Sequence, residues 1–300
     1  MTATTPSTTA RIRRAVVTAV QHLSPGMVRV TFGGDDLDGF TSTGVGDEYV
    51  RLFFPHPGAS DVVMPFVSGD YWDYPEGVEP GPVRTYTIRD VPAPGVLVID
   101  FVVHEGGVAA SWALAARPGD VLALNPPRGL YDPPADARWQ LLLADATGLP
   151  ALARVLELSD PAVRTRAVVQ VADPAHRIDL AIPAGADVVW TVGGNGHGPC
   201  GLLDALRATT LPDGPGYVWF AGEARVQRAV RKHLRHERGL PGTAYKVVGY
   251  WTERAEQWTS TWEGLGPEVR SRLDDLWADP SRDPEAVADD VDALYDSVGL

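Results

Sequence analysis

The feature that most constrains this chain is a change of rhythm near Trp139. Before it, short β-branched stretches alternate with Gly, Pro and Asp. Residues 13–20, 27–32, 49–54, 84–89 and 96–104 read as strands. One helical stretch, 109–116, interrupts them and stops at Arg117-Pro118-Gly119-Asp120. Short strands with turn signals predict a closed antiparallel Greek-key barrel. After the change, apolar runs at 139–144, 166–171, 186–192, 217–221 and 245–250 alternate with helical patterns at 150–158, 202–208 and 225–237. That alternation predicts a doubly wound parallel sheet. The expected division is a barrel over 11–135, an α/β domain over 136–255 and an acidic tail over 256–300 with one or two helices. A length of 300 residues accommodates two such domains.

Charge and cysteine content narrow the partners. The net charge of −13 repels nucleic acid and anionic membrane surfaces as principal partners. Lysine occurs only at 232 and 246, so arginine carries nearly all the positive charge. Cys200 is the only cysteine, which removes internal disulfides and cysteine-held metal clusters. No long apolar run occurs, Met1 to Ala10 read as a frayed polar lead, and a cytoplasmic protein is expected.

The sharpest chemical signal is Arg84-Thr85-Tyr86-Thr87-Ile88-Arg89. On a strand, Arg84, Tyr86 and Ile88 share one face and Thr85, Thr87 and Arg89 the other. A flavin dinucleotide needs a cation for its pyrophosphate, an aromatic surface for its ring and a small polar group near its reactive nitrogen. Arginine offers a planar multi-donor fork, tyrosine offers stacking area with a polar tip, and Thr87 offers a hydroxyl and a backbone N–H. The plain alternative is a strand with a surface arginine and a core tyrosine. A second element supports the first. The strand through Val102 to His104 leads into Glu105-Gly106-Gly107, and Ala109-Ala110-Ser111-Trp112 then opens a helix whose unpaired N–H groups suit a phosphate. His104 reads as a satisfied strand-end histidine rather than an acid or base.

The α/β half carries looser signals. Asp145-Ala146-Thr147-Gly148 lies between strand and helix, where doubly wound sheets take ligands, yet it lacks the glycine fingerprint of dinucleotide folds. Gly193 to Gly198 reads as a flexible loop. Glu223 suits either a nicotinamide contact or a cap for the next helix. Asp173 suits a ribose diol and Arg177 a 2′-phosphate, leaving NADH and NADPH both open. The aromatic, acidic stretch from Pro65 to Pro82, holding Tyr71, Trp72 and Tyr74, suits either a ligand cover or a packed surface loop.

Together these motifs resemble the siderophore-interacting proteins, FAD-dependent ferric-siderophore reductases of the ferredoxin-reductase superfamily. Arg84 to Arg89 is similar to the family's Arg-x-Tyr-Thr-x-Arg motif, and Asp47 to Leu52 to the strand before it. His104 to Asp120 is similar to the pyrophosphate-binding helix and its turn. Leu141 to Ala151 resembles the segment bearing Asp-Glu-Thr-Ala-Leu-Pro, with Ala146 in place of Glu and Gly148 in place of Ala. Trp219 to Ala224, followed by Arg228 and Arg231, resembles the Ala-Gly-Glu motif. Gly249-Tyr250-Trp251 matches the closing motif, with Thr252 and Glu253 after it where a basic residue is common.

The resemblance implies FAD contacts from Arg84, Thr85, Tyr86, Val102, His104 and Gly107, continued by Ala109, Ala110, Ser111 and Trp112, with Thr87 at the flavin's reactive edge. It implies NAD(P)H contacts near Asp145, Thr147, Glu223 and Trp251, with hydride passing to the flavin and electrons then to a ferric siderophore. An anionic chelate needs a local cationic rim, for which Arg51, Arg128, Lys232 and Lys246 are the candidates. Two other readings stand beside it: a related flavin oxidoreductase with another acceptor, and a flavin- or siderophore-binding protein without turnover.

Overall fold

The computed structural model describes residues 11–69, 71–104 and 106–300, so the polar lead and Glu105 lie outside the described residues. The chain forms two compact units. One comprises residues 1–132 with 149–161 and 173–186, and the other comprises 133–148, 162–172 and 187–300.

The first unit is built on a seven-stranded antiparallel sheet in the order β6-β3-β9-β1-β2-β8-β7. Its strands are β1 (Arg13–Ser24), β2 (Met27–Gly33), β3 (Tyr49–Phe53), β6 (Val83–Thr87), β7 (Asp90–Ala93), β8 (Val96–Val102) and β9 (Val121–Leu124). The sheet closes on itself where the chain leaves β6. Ile88 donates its N–H to Glu48 O (2.9 Å) beside β3, while Arg89 donates to Val98 O (2.8 Å) of β8. The strand expected over 84–89 therefore ends at Thr87 and β7 starts only at Asp90, because the chain passes at this seam from one edge of the sheet to the other. Val17, Val28, Val30, Phe32, Val50 and Leu52 fill the core, each at most 1% exposed.

The helix α1 (Val108–Ala115) follows β8, and its Trp112 packs on Phe32, Phe54 and Phe101 of the barrel core. The stretch from Pro65 to Pro82 is not wholly irregular: β4 (Phe66–Ser68) and β5 (Tyr71–Asp73) form a hairpin. Trp72 anchors it edge-on to Phe53, with ring centroids 5.4 Å apart. The helix α2 (Leu149–Leu158) also belongs to this unit.

The second unit holds a five-stranded sheet ordered β12-β11-β10-β13-β14. These are β10 (Trp139–Ala144), β11 (Arg164–Val171), β12 (Ala186–Val192), β13 (Gly216–Glu223) and β14 (Tyr245–Trp251). The pairs β10–β11, β10–β13 and β13–β14 run parallel. Every residue of β10 and β13 is buried, as the apolar runs require of strands covered on both faces. The helices α3 (Leu202–Ala208) and α4 (Ala224–Lys232) contribute Leu202, Leu206 and Val230 to the core beneath them. The helix expected over 225–237 changes character after Lys232, where residues 233–237 form a π-helical turn.

The tail corrects the expectation of one or two helices: it has α5 (Ala255–Glu263), α6 (Pro267–Ala278) and α7 (Pro284–Ser297). They share a small core of Leu273, Val287, Val291 and Leu294. Ion pairs dock α7 on α4 and the turn after it. Arg231, whose side chain is only 6% exposed, meets Asp292 at 2.6 Å, Asp289 at 2.7 Å and Glu285 at 3.3 Å. Arg235 pairs with Asp289 at 2.9 Å and Asp283 at 3.1 Å. The tail is acidic, as read, and these carboxylates pair with arginines, three of them half-buried against the helix and Asp283 exposed. No helix among the described residues is long and apolar enough to cross a membrane.

Candidate functional site

Strand register assembles the barrel site. Tyr49 pairs with Thr87 and Arg51 with Thr85, while Tyr49 also bridges to Arg128. Directly opposed residues in antiparallel strands project to the same face, as do alternate residues along one strand. Tyr49, Arg51, Thr85, Thr87 and Arg128 therefore share one face of the barrel. The two expected cationic candidates of this unit are brought together by backbone pairing that spacing alone did not reveal. The Arg51 guanidinium stacks over the Trp72 ring of the hairpin, 4.6 Å from its centroid.

The opposite face takes Arg84 and Tyr86. Tyr86 leans on Phe101, centroid to centroid 4.5 Å, and burial pushes its phenol above the usual range. Phe101 in turn touches Trp112, so Tyr86 and α1 are joined by two ring contacts. Arg84 is exposed, and its guanidinium donates to the carbonyl of Val83 next to it (2.8 Å).

Several groups here lack partners among the described residues. Thr87 is 5% exposed, yet its Oγ1 has no hydrogen-bond partner among the described residues. A buried hydroxyl left alone is costly, and its usual explanation is a ligand or water. The helix α1 begins at Gly107 with no side-chain cap among the described residues, which leaves its first N–H groups open to a ligand. Ala109 and Ala110 keep that helix start small, and Ser111 is exposed beside it. A Cβ on Gly107 would sit 2.4 Å from the His104 ring, so only glycine lets the loop lie against that histidine. Val102 ends β8 just before this loop. A cation, an aromatic, an orphaned hydroxyl and an open helix start are what a flavin dinucleotide requires, and the residues fit FAD.

Two residues outside the set of candidate contacts hold this site in place. Arg154, in the middle of apolar α2, pairs with the fully buried Glu48 at 2.7 Å and donates to the carbonyl of Ile88 at 2.7 Å. It thereby clamps the seam immediately after Thr87. Asp47, also fully buried, accepts from the N–H groups of Leu130 and Tyr131 and fixes the chain that carries Arg128. A charged residue inside an apolar helical run was the available signal for Arg154.

The sheet of the second unit presents a different picture. Strand order reverses between β10 and β13, which makes their carboxyl ends the switch point where such sheets take ligands. Asp145 and Glu223 stand there, 2% and 7% exposed. Both carboxylates are satisfied within the chain. Asp145 accepts from Thr147 N (2.8 Å), Thr147 Oγ1 (2.6 Å) and Trp251 Nε1 (2.6 Å). Burial pushes its carboxyl up, against the pull of those bonds. Glu223 accepts from Arg225 N (2.7 Å) and Val226 N (3.0 Å), capping α4, and from Glu253 N (3.2 Å). Of the two roles open to Glu223, the cap is the one its geometry performs.

The unusual residues of the turn have local causes. A Cβ at Gly148 would lie 2.6 Å from Ala221 O, so alanine does not fit there. Ala146 donates its N–H to Asn195 Oδ1 (3.0 Å), and Asn195 also donates to Gln170 O (3.2 Å) and Gly193 O (3.1 Å). Asn195 holds its own backbone at φ 56° to make these bonds. The loop 193–198 is thus tied to the turn. Lys246 lies on the edge strand β14, opposite Trp219. Lys232 lines a cleft between α4 and α7. The Asp173 carboxylate accepts from Ala175 N.

The sequence comparisons agree with this architecture. Residues 16–131 match the Siderophore-interacting FAD-binding domain, and residues 137–254 match the Siderophore-interacting protein family. The chain is 36% identical over 244 residues to an NADPH-dependent ferric-chelate reductase of Escherichia coli strain K12, covering 80% of this chain and 93% of that protein. It is 32% identical over 238 residues to a ferric vibriobactin reductase of Vibrio cholerae, covering 77% and 86% of the two chains. A siderophore utilization protein from T. fusca superposes with a TM-score of 0.73 at 36% identity, over 82% of this chain and 94% of that one. Barrel, parallel sheet and both family matches fall in one order along one polypeptide, and the chain belongs to the siderophore-interacting protein family.

Proposed function

We propose that this protein is an FAD-dependent reductase that takes electrons from NAD(P)H and delivers them to a ferric siderophore, releasing Fe(II). The observation that carries the reading is the buried, partnerless Thr87 hydroxyl on the face that also bears Arg51 and Arg128. FAD, when bound, supplies hydride acceptance and one-electron release, chemistry that no side chain of the protein has. In this reading the barrel module of 11–135 holds the flavin and the module of 136–255 the nicotinamide nucleotide.

Arg84 neutralises the pyrophosphate with the open start of α1 at Ala109, Ala110 and Ser111. Tyr86 and Trp112 offer aromatic surface, while Val102, His104 and Gly107 shape the loop beneath. Thr87 donates or accepts one hydrogen bond at the flavin's reactive edge, and Thr85 lines the same face. Thr147 and the turn around Asp145 meet the nucleotide, bounded by Glu223 and Trp251. Arg51 and Arg128 attract an anionic chelate, with Lys232 and Lys246 as further cationic candidates. Hard oxygen ligands favour Fe(III), so reduction weakens the chelate and frees the metal. NADPH is the donor favoured by the named E. coli relative. The acidic surface suits work in the cytoplasm away from nucleic acid and membranes.

The test is anaerobic. Purified protein loaded with FAD is mixed with NADPH and then with ferric siderophore, with a chromogenic Fe(II) chelator present. Bleaching, recolouring and Fe(II) capture are expected. A protein that does not take up FAD sinks the proposal. Flavin that NAD(P)H does not bleach indicates a binding protein, and bleaching without Fe(II) capture indicates a different acceptor.

A further inference from the structure

We infer that Asp145 is a positioning residue whose task is to fix the indole of Trp251 at the nucleotide crevice, which rests on the function proposed above. Asp145 Oδ1 is held by the turn itself, through Thr147 N, Thr147 Oγ1 and Gly148 N. That leaves Oδ2 aimed across the sheet edge, where it accepts the Trp251 Nε1 proton at 2.6 Å over 106 residues of sequence separation. The backbone between them is cleared for this bond, since a Cβ on Gly222 would lie 2.8 Å from Asp145 Oδ2. Trp251 ends β14 in register with Glu223, so its ring stands at the carboxyl ends of the strands flanking the switch point. Its far edge lies beside Gly196 of the loop that Asn195 ties to the same turn, 3.9 Å from where a Cβ would be.

A half-buried indole held at one end by a carboxylate and flanked at the other has one pose in place of several. The crevice wall is therefore formed before the nucleotide arrives, and binding does not have to order it. Asp145 acts here through Trp251, the residue to which its Oδ2 is committed.

The test is a double-mutant cycle on the FAD-loaded protein with Asp145→Asn, Trp251→Phe and the double variant. An asparagine that keeps its oxygen toward Thr147 and Gly148 turns an NH2 group toward the indole N–H, so the bond is lost while the turn survives. Asp145→Asn is expected to weaken NADP+ binding by titration and raise the KM for NADPH about tenfold, with kcat within about twofold. The near-ultraviolet circular dichroism of the indole is expected to diminish. Trp251→Phe keeps an aromatic face without the N–H and should weaken NADP+ binding to a similar degree, and adding Asp145→Asn to it should cost nothing further. Equal losses from Asp145→Asn in the wild-type and Trp251→Phe backgrounds overturn the inference, as does unchanged NADP+ binding in either single variant. If Asp145→Asn does not fold, Trp251→Phe decides alone: wild-type affinity refutes the anchored indole. Wild-type protein that binds no nicotinamide nucleotide defeats the proposed function itself, an outcome distinct from all of these.

Discussion

The barrel face and the carboxyl edge of the parallel sheet handle their polar groups in opposite ways. On the barrel, among the described residues, Thr87 Oγ1 has no partner and α1 starts without a side-chain cap, while Arg84 turns back to its neighbour's carbonyl. On the sheet edge, Asp145 and Glu223 are surrounded by donors of their own chain. In the proposed function a ligand supplies the partners that the first arrangement lacks. The second is complete alone and offers a ligand shape rather than charge. A resident cofactor and a passing nucleotide call for that distinction: one is held by direct bonds, the other visits a wall already in place.

The comparison breaks most readily at Arg84. Arg84→Ala is expected to weaken FAD retention about 10–100-fold, the worth of a charge-assisted bond to phosphate, as read by titrating flavin into apoprotein. Unchanged flavin affinity would show that the exposed guanidinium is only a surface charge. Glu223→Ala is next. It removes the cap of α4 and should lower stability by about 1–2 kcal/mol in denaturant titrations. Its effect on NADPH KM should stay below that of Asp145→Asn, which separates cap from ligand contact.

Thr87→Val gives a smaller effect of unusual sign. Because the hydroxyl is buried and partnerless, the isosteric methyl should stabilise the apoprotein by about 1 kcal/mol while reducing the thermal shift produced by FAD. Loss of apoprotein stability would mean that the hydroxyl is already satisfied.

The tail gives the smallest effect per residue. Burial pushes the Asp289 carboxyl up, but Arg231 and His236 outweigh it and hold it below the usual range, and Arg235 does the same for Asp283. Carboxyls depressed in the folded state stabilise docking at pH values above their unfolded pKa, and that contribution is lost as pH falls through the depressed values. Amide exchange of 284–297, corrected for its intrinsic pH dependence, should rise on acidification before that of the barrel strands does. Simultaneous loss of both would make the tail part of one cooperative unit.

Much of this was legible in the residues. Apolar runs gave buried β10 and edge strand β12 to the residue, and Arg84 to Thr87 were readable because strand parity assigns faces directly. The pieces that escaped are short or depend on distant partners. Val121–Leu124 is four residues after a turn, and β4–β5 is a hairpin of three-residue strands held by a tryptophan against Phe53. The helix α5 begins after Arg254 in a left-handed conformation, without a side-chain cap to announce it. At the site, types and spacing pointed to Asp145 and Glu223, yet what their oxygens face is decided by Trp251 and Glu253, residues brought near only by the finished sheet.

The ion-paired seat of α7 has a consequence for how the molecule is made. Shape-matched apolar surfaces recognise each other only on contact, whereas opposite charges attract across roughly a Debye length, about 8 Å at physiological ionic strength. The arginines of α4 and of the turn after it exist as a row only once that helix has formed on the sheet. A segment synthesised after α4 is thus steered onto a landing strip laid down by the earlier ones, and salt tunes the speed of its arrival.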